Sequence, residues 1–94
     1  MIGLQPNGVD LIQLRSLVSG ILAELGQLET DAFPLTERVV VNKGAACGIY
    51  FCLHGPRNVK LTAICDFKKR SIIYYSSTGE RARRTPAPMK PVAA

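Results

Sequence analysis

The chain has 94 residues, of which 47 % are apolar and 20 % are charged. This length allows one domain with a modest hydrophobic core, and the composition excludes a wholly disordered chain. The net charge of +5 is divided unevenly, with one cation and five carboxylates in residues 1–37 against eleven cations and two carboxylates in residues 38–94. The basic half permits a nucleic acid or another polyanion as partner, but it is equally typical of domains whose cations only aid solubility.

Targeting signals are not evident in the sequence. Residues 1–6 carry no basic side chain, and no apolar run approaches the length of a membrane span. Three cysteines without a secretory signal indicate free thiols in a reducing compartment. We therefore expect a cytoplasmic protein that has no membrane partner.

The first predicted element is an amphipathic helix. Apolar residues recur at alternating spacings of three and four, which is the helical period, at Leu11, Leu14, Val18, Ile21, Leu25 and Leu28. Asp10 and Gln13 have the spacing of a capping box, and Thr30-Asp31 together with Phe33-Pro34 should end the helix. The apolar stripe can cover a sheet or pair with a second copy. Its shortness favours the sheet.

After Pro34 the pattern changes from helical to alternating, which predicts β-strands. The predicted strands are separated by turn-forming residues such as Gly55-Pro56-Arg57, and they span residues 38–42, 47–54, 58–67, 71–77 and, as a short edge strand, 81–84. The predicted fold is α+β, with one N-terminal helix packed on a three- or four-stranded antiparallel meander. Residues 1–84 should form this single domain, and the Pro/Ala-rich residues 85–94 should form a disordered tail.

Burial selects a register for the central hairpin. Pairing Leu53 with Val59 makes one face of the two strands entirely apolar, and the same register places Cys47 opposite Cys65. The other face then carries Tyr50, Cys52 and His54. In the next strand the sequence leaves open whether Ile72 and Tyr74 or Ile73 and Tyr75 point to the core.

The cysteines and the single histidine do not form a convincing site. Zinc ligation would need Cys47 and Cys65 to converge with Cys52 and His54 from opposite faces of one sheet. The register would permit a disulfide between Cys47 and Cys65 under oxidising conditions. No general acid/base pair or phosphate-binding loop is recognisable. We therefore expect no metal, no cofactor and no catalytic residue.

The open sheet face is the strongest candidate for function. Aromatic rings surrounded by cations are used by single-strand-binding sheets. The candidate residues, for an anion or for a protein partner, are Tyr50, His54, Arg57, Lys60, Lys68, Lys69, Arg70, Tyr74, Tyr75, Arg81, Arg83 and Arg84.

Two functions compete for this face. The first is a non-enzymatic interaction module that forms a homodimer, or binds another protein, through its helix or its open sheet face. The alternative is single-stranded RNA or DNA binding through the basic, Tyr-bearing face.

Overall fold

The computed structural model of the protein describes residues 8–90. One helix precedes five strands, and the elements are α1 (Leu11–Leu25), β1 (Leu35–Asn42), β2 (Ala45–His54), β3 (Lys60–Asp66), β4 (Ser71–Tyr75) and β5 (Arg81–Pro86). The strands form a single antiparallel sheet in the order β1-β2-β3-β4-β5. The predicted α+β class is confirmed. The sheet has five strands and not three or four, because the short edge strand expected at residues 81–84 adds to the four strands before it.

Helix α1 begins at the predicted cap and ends earlier than predicted. The Asp10 carboxylate accepts hydrogen bonds from the backbone N–H groups of Ile12 and Gln13, both at 3.1 Å. At the other end, Gln27 adopts a positive φ of 54°, and the N–H of Leu28 donates to the carbonyl of Ala23 at 2.7 Å. This is a Schellman ending that uses Gln where Gly is usual, so Leu28 packs on the core from the turn and not from the helix.

Helix α1 covers one face of the sheet, which we call the helix-side face. The core between the two layers includes Leu14, Val18 and Leu22 from the helix together with Ile49, Phe51, Leu53, Leu61, Ala63, Cys65, Phe67, Ile72 and Tyr74. The opposite face of the sheet, which we call the open face, has no helix over it among residues 8–90. A two-layer domain of this kind buries only one side of its sheet.

The central hairpin has the predicted faces but a different register. Leu53 lies opposite Leu61, not opposite Val59 as predicted, so the pairing is displaced by two residues. The cause is the turn: residues 55–59 form a five-residue loop in which the N–H of Gly55 donates to the carbonyl of Val59 at 2.8 Å. Because side chains alternate with a period of two, a shift of two leaves the paired residues on their predicted faces. The exception is Cys47, which was predicted to be buried and is exposed at a β-bulge.

Strand β4 settles the alternative that the sequence left open. Ile72 and Tyr74 are fully buried on the helix-side face, opposite Cys65 and Ala63. Tyr74 also shares a hydrogen bond with the hydroxyl of Thr85 at 2.9 Å. Tyr75 therefore belongs to the open face.

The C-terminal segment is more ordered than predicted. Residues 85 and 86 belong to β5, and Ala87 is buried with its N–H donating to the carbonyl of Arg70 at 2.9 Å. Beyond it, Met89 bridges to Val9, and the N–H of Lys90 donates to the carbonyl of Gly8 at 2.7 Å. The predicted tail is thus corrected for residues 85–90, whose backbone groups find partners that composition does not reveal. Residues 91–94 of that tail, and residues 1–7 of the predicted domain, lie outside the described residues.

Within residues 8–90, no helix has both the length and the apolar character needed to cross a lipid bilayer.

Candidate functional site

The open face is defined by the side chains that alternate with the core residues along all five strands. In antiparallel pairs, residues directly opposite each other share a face, so the register fixes its membership. It comprises Thr36, Arg38 and Val40 of β1, Gly48, Tyr50, Cys52 and His54 of β2, Lys60, Thr62, Ile64 and Asp66 of β3, Ser71, Ile73 and Tyr75 of β4, and Arg81, Arg84 and Pro86 of β5.

One row of this face crosses the sheet from edge to edge. The register aligns, strand by strand, Arg38, Tyr50, Ile64, Ile73 and Arg84. Ile64 is 39 % exposed, although it lies in the middle strand of the sheet. The row is therefore an apolar and aromatic centre with a guanidinium at each end.

The neighbouring row continues this arrangement. Cys52, Thr62, Tyr75 and Arg81 lie opposite one another across four strands. Beyond them His54 faces Lys60, and its Nε2 lies 2.9 Å from the hydroxyl of Thr36. The two half-buried tyrosines thus lie in adjacent rows, within a border of cationic side chains.

The positive charge of the open face follows from which groups the carboxylates bind. On the helix side, Arg15 donates to Glu37 at 2.7 Å and Arg83 donates to Glu24 at 3.0 Å, which ties α1 to both edge strands. Within residues 8–90, the only carboxylate on the open face belongs to Asp66, which accepts the N–H groups of the next turn at 2.9 and 3.1 Å. The open face therefore holds four Lys and Arg residues against one carboxylate that is already engaged.

A cavity of about 370 Å³ opens at one corner of this face. It is lined by Lys69, Arg70, Ser71, Arg84, Thr85 and Pro86. Arg70 has a positive φ of 52°, and its carbonyl is held by the N–H of Ala87, so the turn is fixed against the end of β5. The lining includes three cations and no carboxylate.

Most of the predicted site residues fall on or beside the open face. Tyr50, His54, Lys60, Tyr75, Arg81 and Arg84 lie on it, and Lys69 and Arg70 line the cavity at its corner. Arg57 and Lys68 occupy turns at opposite ends of the sheet. Tyr74 and Arg83 lie instead on the helix-side face, the first buried in the core and the second bound to Glu24.

Arg38, Ile64 and Ile73 complete the open face although they were not among the predicted site residues. The alternation of the strands contains the signal for Arg38 and Ile64. Ile73 could not be assigned to a face because the turn length before β4 was ambiguous.

The three cysteines are free and lie in different surroundings. Cys65 is fully buried opposite Ile49, and burial, with a contribution from the Asp66 carboxylate, raises the pKa of its thiol to about 11. Cys47 is exposed at a β-bulge, and its thiol donates to the carbonyl of Val40 at 3.4 Å. The pairing of Cys47 with Cys65 that would permit a disulfide is therefore wrong, because the two-residue shift and the bulge separate them.

Residues 8–90 contain no group of three or more His, Cys, Asp or Glu side chains arranged to hold a metal ion. His54 is directed to Thr36 by its hydrogen bond.

No protein-family model, curated protein or solved structure matches this chain.

Proposed function

We propose that the protein binds single-stranded RNA or DNA on its open face. The observation that carries the proposal is the row from Arg38 through Tyr50, Ile64 and Ile73 to Arg84. Flat apolar and aromatic surface stacks on bases, and flanking guanidinium groups bind phosphates.

The distribution of charge favours a polyanion over a second copy of the same face. In a two-fold dimer the same patch occurs on both partners, so four Lys and Arg residues would face four others. Among residues 8–90, Glu37 and Glu24 are paired with arginines on the helix side, and the carboxylate of Asp66, which does lie on the open face, is engaged in capping a turn. A nucleic-acid strand supplies the negative charge that this face lacks.

The aromatic residues suit a single strand better than a duplex. Tyr50 and Tyr75 belong to paired strands of the sheet, and within residues 8–90 no helix lies over this face that could enter a groove. Bases can stack on such a surface only when they are unpaired. We therefore expect preference for single strands over duplexes of the same sequence.

The test is a titration of labelled single-stranded oligonucleotides followed by fluorescence anisotropy at several salt concentrations. Neutralising four to six phosphates should give a slope of log affinity against log salt of about −3 to −4. Tyr50→Ala with Tyr75→Ala should weaken binding by about tenfold or more while the slope stays unchanged, because stacking carries no charge. Absence of binding at low salt would overturn the proposal.

A second candidate function is self-association, and a different surface favours it. Strand β1 is an edge strand whose residues Val39, Val40 and Val41 are 37 %, 38 % and 61 % exposed. Long apolar edge strands without proline readily pair with another strand. This route uses the backbone edge of the sheet, whereas the sequence suggested a dimer through the helix or the open face.

A specific pairing of two β1 strands can be derived. The N–H of His54 donates to the carbonyl of Pro34 at 3.0 Å, so the backbone of Pro34 faces β2. Because this orientation alternates along the strand, the N–H and C=O groups of Glu37, Val39 and Val41 point away from β2. With the two-fold axis at Val40, Val39 lies opposite Val41 of the second copy. Both open faces remain on the same side, so this dimer would double the proposed nucleic-acid surface.

Disulfide trapping tests the pairing. Val40→Cys in a Cys47→Ser background should give a covalent dimer on mild oxidation, because directly opposed residues of this type have Cα atoms about 4.5 Å apart. Asn42→Cys in the same background is the control, since its two copies would lie about 13 Å apart. A monomer at high concentration, with no trapping at Val40, would contradict self-association through β1.

We place this function in the cytoplasm. The three cysteines are free, as expected in a reducing compartment. Microscopy of the tagged full chain in its native cells tests the location.

A further inference from the structure

The corner cavity has a composition that the rest of the open face does not share. Lys69, Arg70 and Arg84 contribute three cations to one concave surface. Ser71 also lines it, and among residues 8–90 it is the one polar residue that is buried, with 5 % of its surface exposed. A concave surface whose lining residues include Lys, Arg and Ser suits a compact, multiply charged anion.

We propose that this cavity holds a terminal phosphate monoester of the bound strand. The inference rests on the proposed nucleic-acid function, because Ser71 and Arg84 belong to the open face and the cavity is therefore continuous with it. An internal phosphodiester carries one negative charge, whereas a monoester carries about −1.5 to −2 at pH 7. Three cationic residues that line one cavity discriminate between these charges better than a flat surface does.

The position of the cavity suits the end of a bound nucleic-acid strand and not its middle. It lies where β4 begins and β5 ends, at the border of the sheet, and the apolar row of Tyr50, Ile64 and Ile73 leads toward it through Arg84. The backbone around it is fixed, since the Arg70 carbonyl accepts from Ala87 and Asp66 caps the preceding turn. A fixed anion site reduces the ordering cost of binding.

The experiment compares oligonucleotides of about 12 nucleotides that have the same sequence and carry a 5′-phosphate, a 3′-phosphate or only hydroxyl ends. The label is placed at the end that is not varied. A phosphorylated end should bind at least about tenfold more tightly, because hydrogen bonds to a charged group are worth that much in affinity. The arm that shows the preference, 5′ or 3′, gives the polarity of the strand.

A pair of variants separates the cavity from general charge. Lys69→Gln with Arg70→Asn should abolish the preference for the phosphorylated end. The control, Lys68→Gln with Lys43→Asn, removes the same charge outside the cavity, and Lys43 has the same φ of 52° as Arg70. The control should keep the preference. In the native protein, the preference should also shrink as the pH falls from 7.5 to 5.5, because the monoester gains a proton near pH 6.

The outcomes distinguish the two proposals. Equal affinity for all three ends, with binding retained, would overturn the terminal-phosphate site and leave the single-strand function standing. A preference that survives in the cavity variant would also overturn it. Absence of binding for every oligonucleotide at low salt would overturn the single-strand function, and the terminal-phosphate site with it.

Discussion

Arg83 and Arg84 are neighbours in β5, but they serve opposite sides of the sheet. The guanidinium of Arg83 donates to Glu24 of α1 at 3.0 Å, whereas Arg84 lies opposite Ile73 on the open face and lines the corner cavity. The sheet thereby separates cations that are neutralised by the helix from cations that are not. This separation, and not the overall charge of +5, is the basis of the proposed function.

Tyr74 and Tyr75 provide the clearest stability test of the two faces. Tyr74→Ala should lower the free energy of unfolding by about 3–5 kcal/mol, because it leaves a cavity in the core and removes the hydrogen bond to Thr85. Tyr75→Ala removes only cross-strand contacts and should cost about 1 kcal/mol or less. Urea unfolding of both variants measures the difference. Similar costs would show that the assignment of β4 to its faces is wrong.

The Asp10 cap should contribute measurably to the stability of α1. Asp10→Ala removes the acceptor for the N–H groups of Ile12 and Gln13, and it should destabilise the protein by about 1 kcal/mol. Asp10→Asn keeps an acceptor and should cost much less. Thermal unfolding followed by circular dichroism checks both. Equal melting temperatures for Asp10→Ala and the native chain would argue against the cap.

Two glycines should respond in opposite directions to alanine. Gly20 lies within α1 with nothing within 4 Å of an added Cβ, so Gly20→Ala should stabilise the protein by up to about 1 kcal/mol. At Gly48 the added Cβ would clash with the backbone carbonyl oxygen of Cys65, so Gly48→Ala should destabilise the protein by about 1–3 kcal/mol. Chemical denaturation of both variants measures the signs. A neutral Gly48→Ala would contradict the close approach of β2 to β3.

Stability should fall at alkaline pH because of the buried thiol. The pKa of Cys65 is raised from 9.0 to about 11, so the unfolded chain loses this proton at lower pH than the folded protein does. Its contribution, up to about 2.7 kcal/mol, is complete below about pH 9 and is lost as the pH rises toward 11. Burial also raises the pKa of Tyr74, which acts in the same direction.

Unfolding measurements between pH 8 and pH 11 test this dependence. Cys65→Ala should have a shallower decline than the native protein, whereas Cys47→Ala, which alters an exposed thiol, should leave the decline unchanged. Identical slopes in all three proteins would contradict the role of Cys65.

The alternation of side chains was sufficient to predict which face most residues occupy, and local geometry explains what it missed. Leu53 and Leu61 were assigned correctly to the core, but their direct pairing depends on a five-residue loop whose hydrogen bonds composition does not specify. The early end of α1 has a similar origin, since Gln27 takes a conformation that usually requires glycine. The order of residues 85–90 depends on long-range backbone hydrogen bonds with Gly8 and Arg70, which cannot be predicted from local sequence patterns.

The candidate site could be predicted only as a set of cationic and aromatic residues, because the face that each cation occupies depends on strand pairing. Runs of cations after Asp66 and Gly79 were visible in the sequence, but their faces were not. Arg83 could be separated from Arg84 only after the partner strand and Glu24 were placed. The pairing of the strands therefore decides which cations face a ligand and which form ion pairs with carboxylates of the helix.

The most direct measurement compares Arg83→Gln with Arg84→Gln in the salt-dependent anisotropy titration of single-stranded oligonucleotides. Both variants remove one positive charge from the same strand. Arg84→Gln should weaken binding and reduce the magnitude of the salt slope by about 0.7, the contribution of one phosphate contact. Arg83→Gln, which loses only an exposed ion pair with Glu24, should bind as the native protein does. Equal losses of affinity in both variants, or none in either, would contradict binding on the open face.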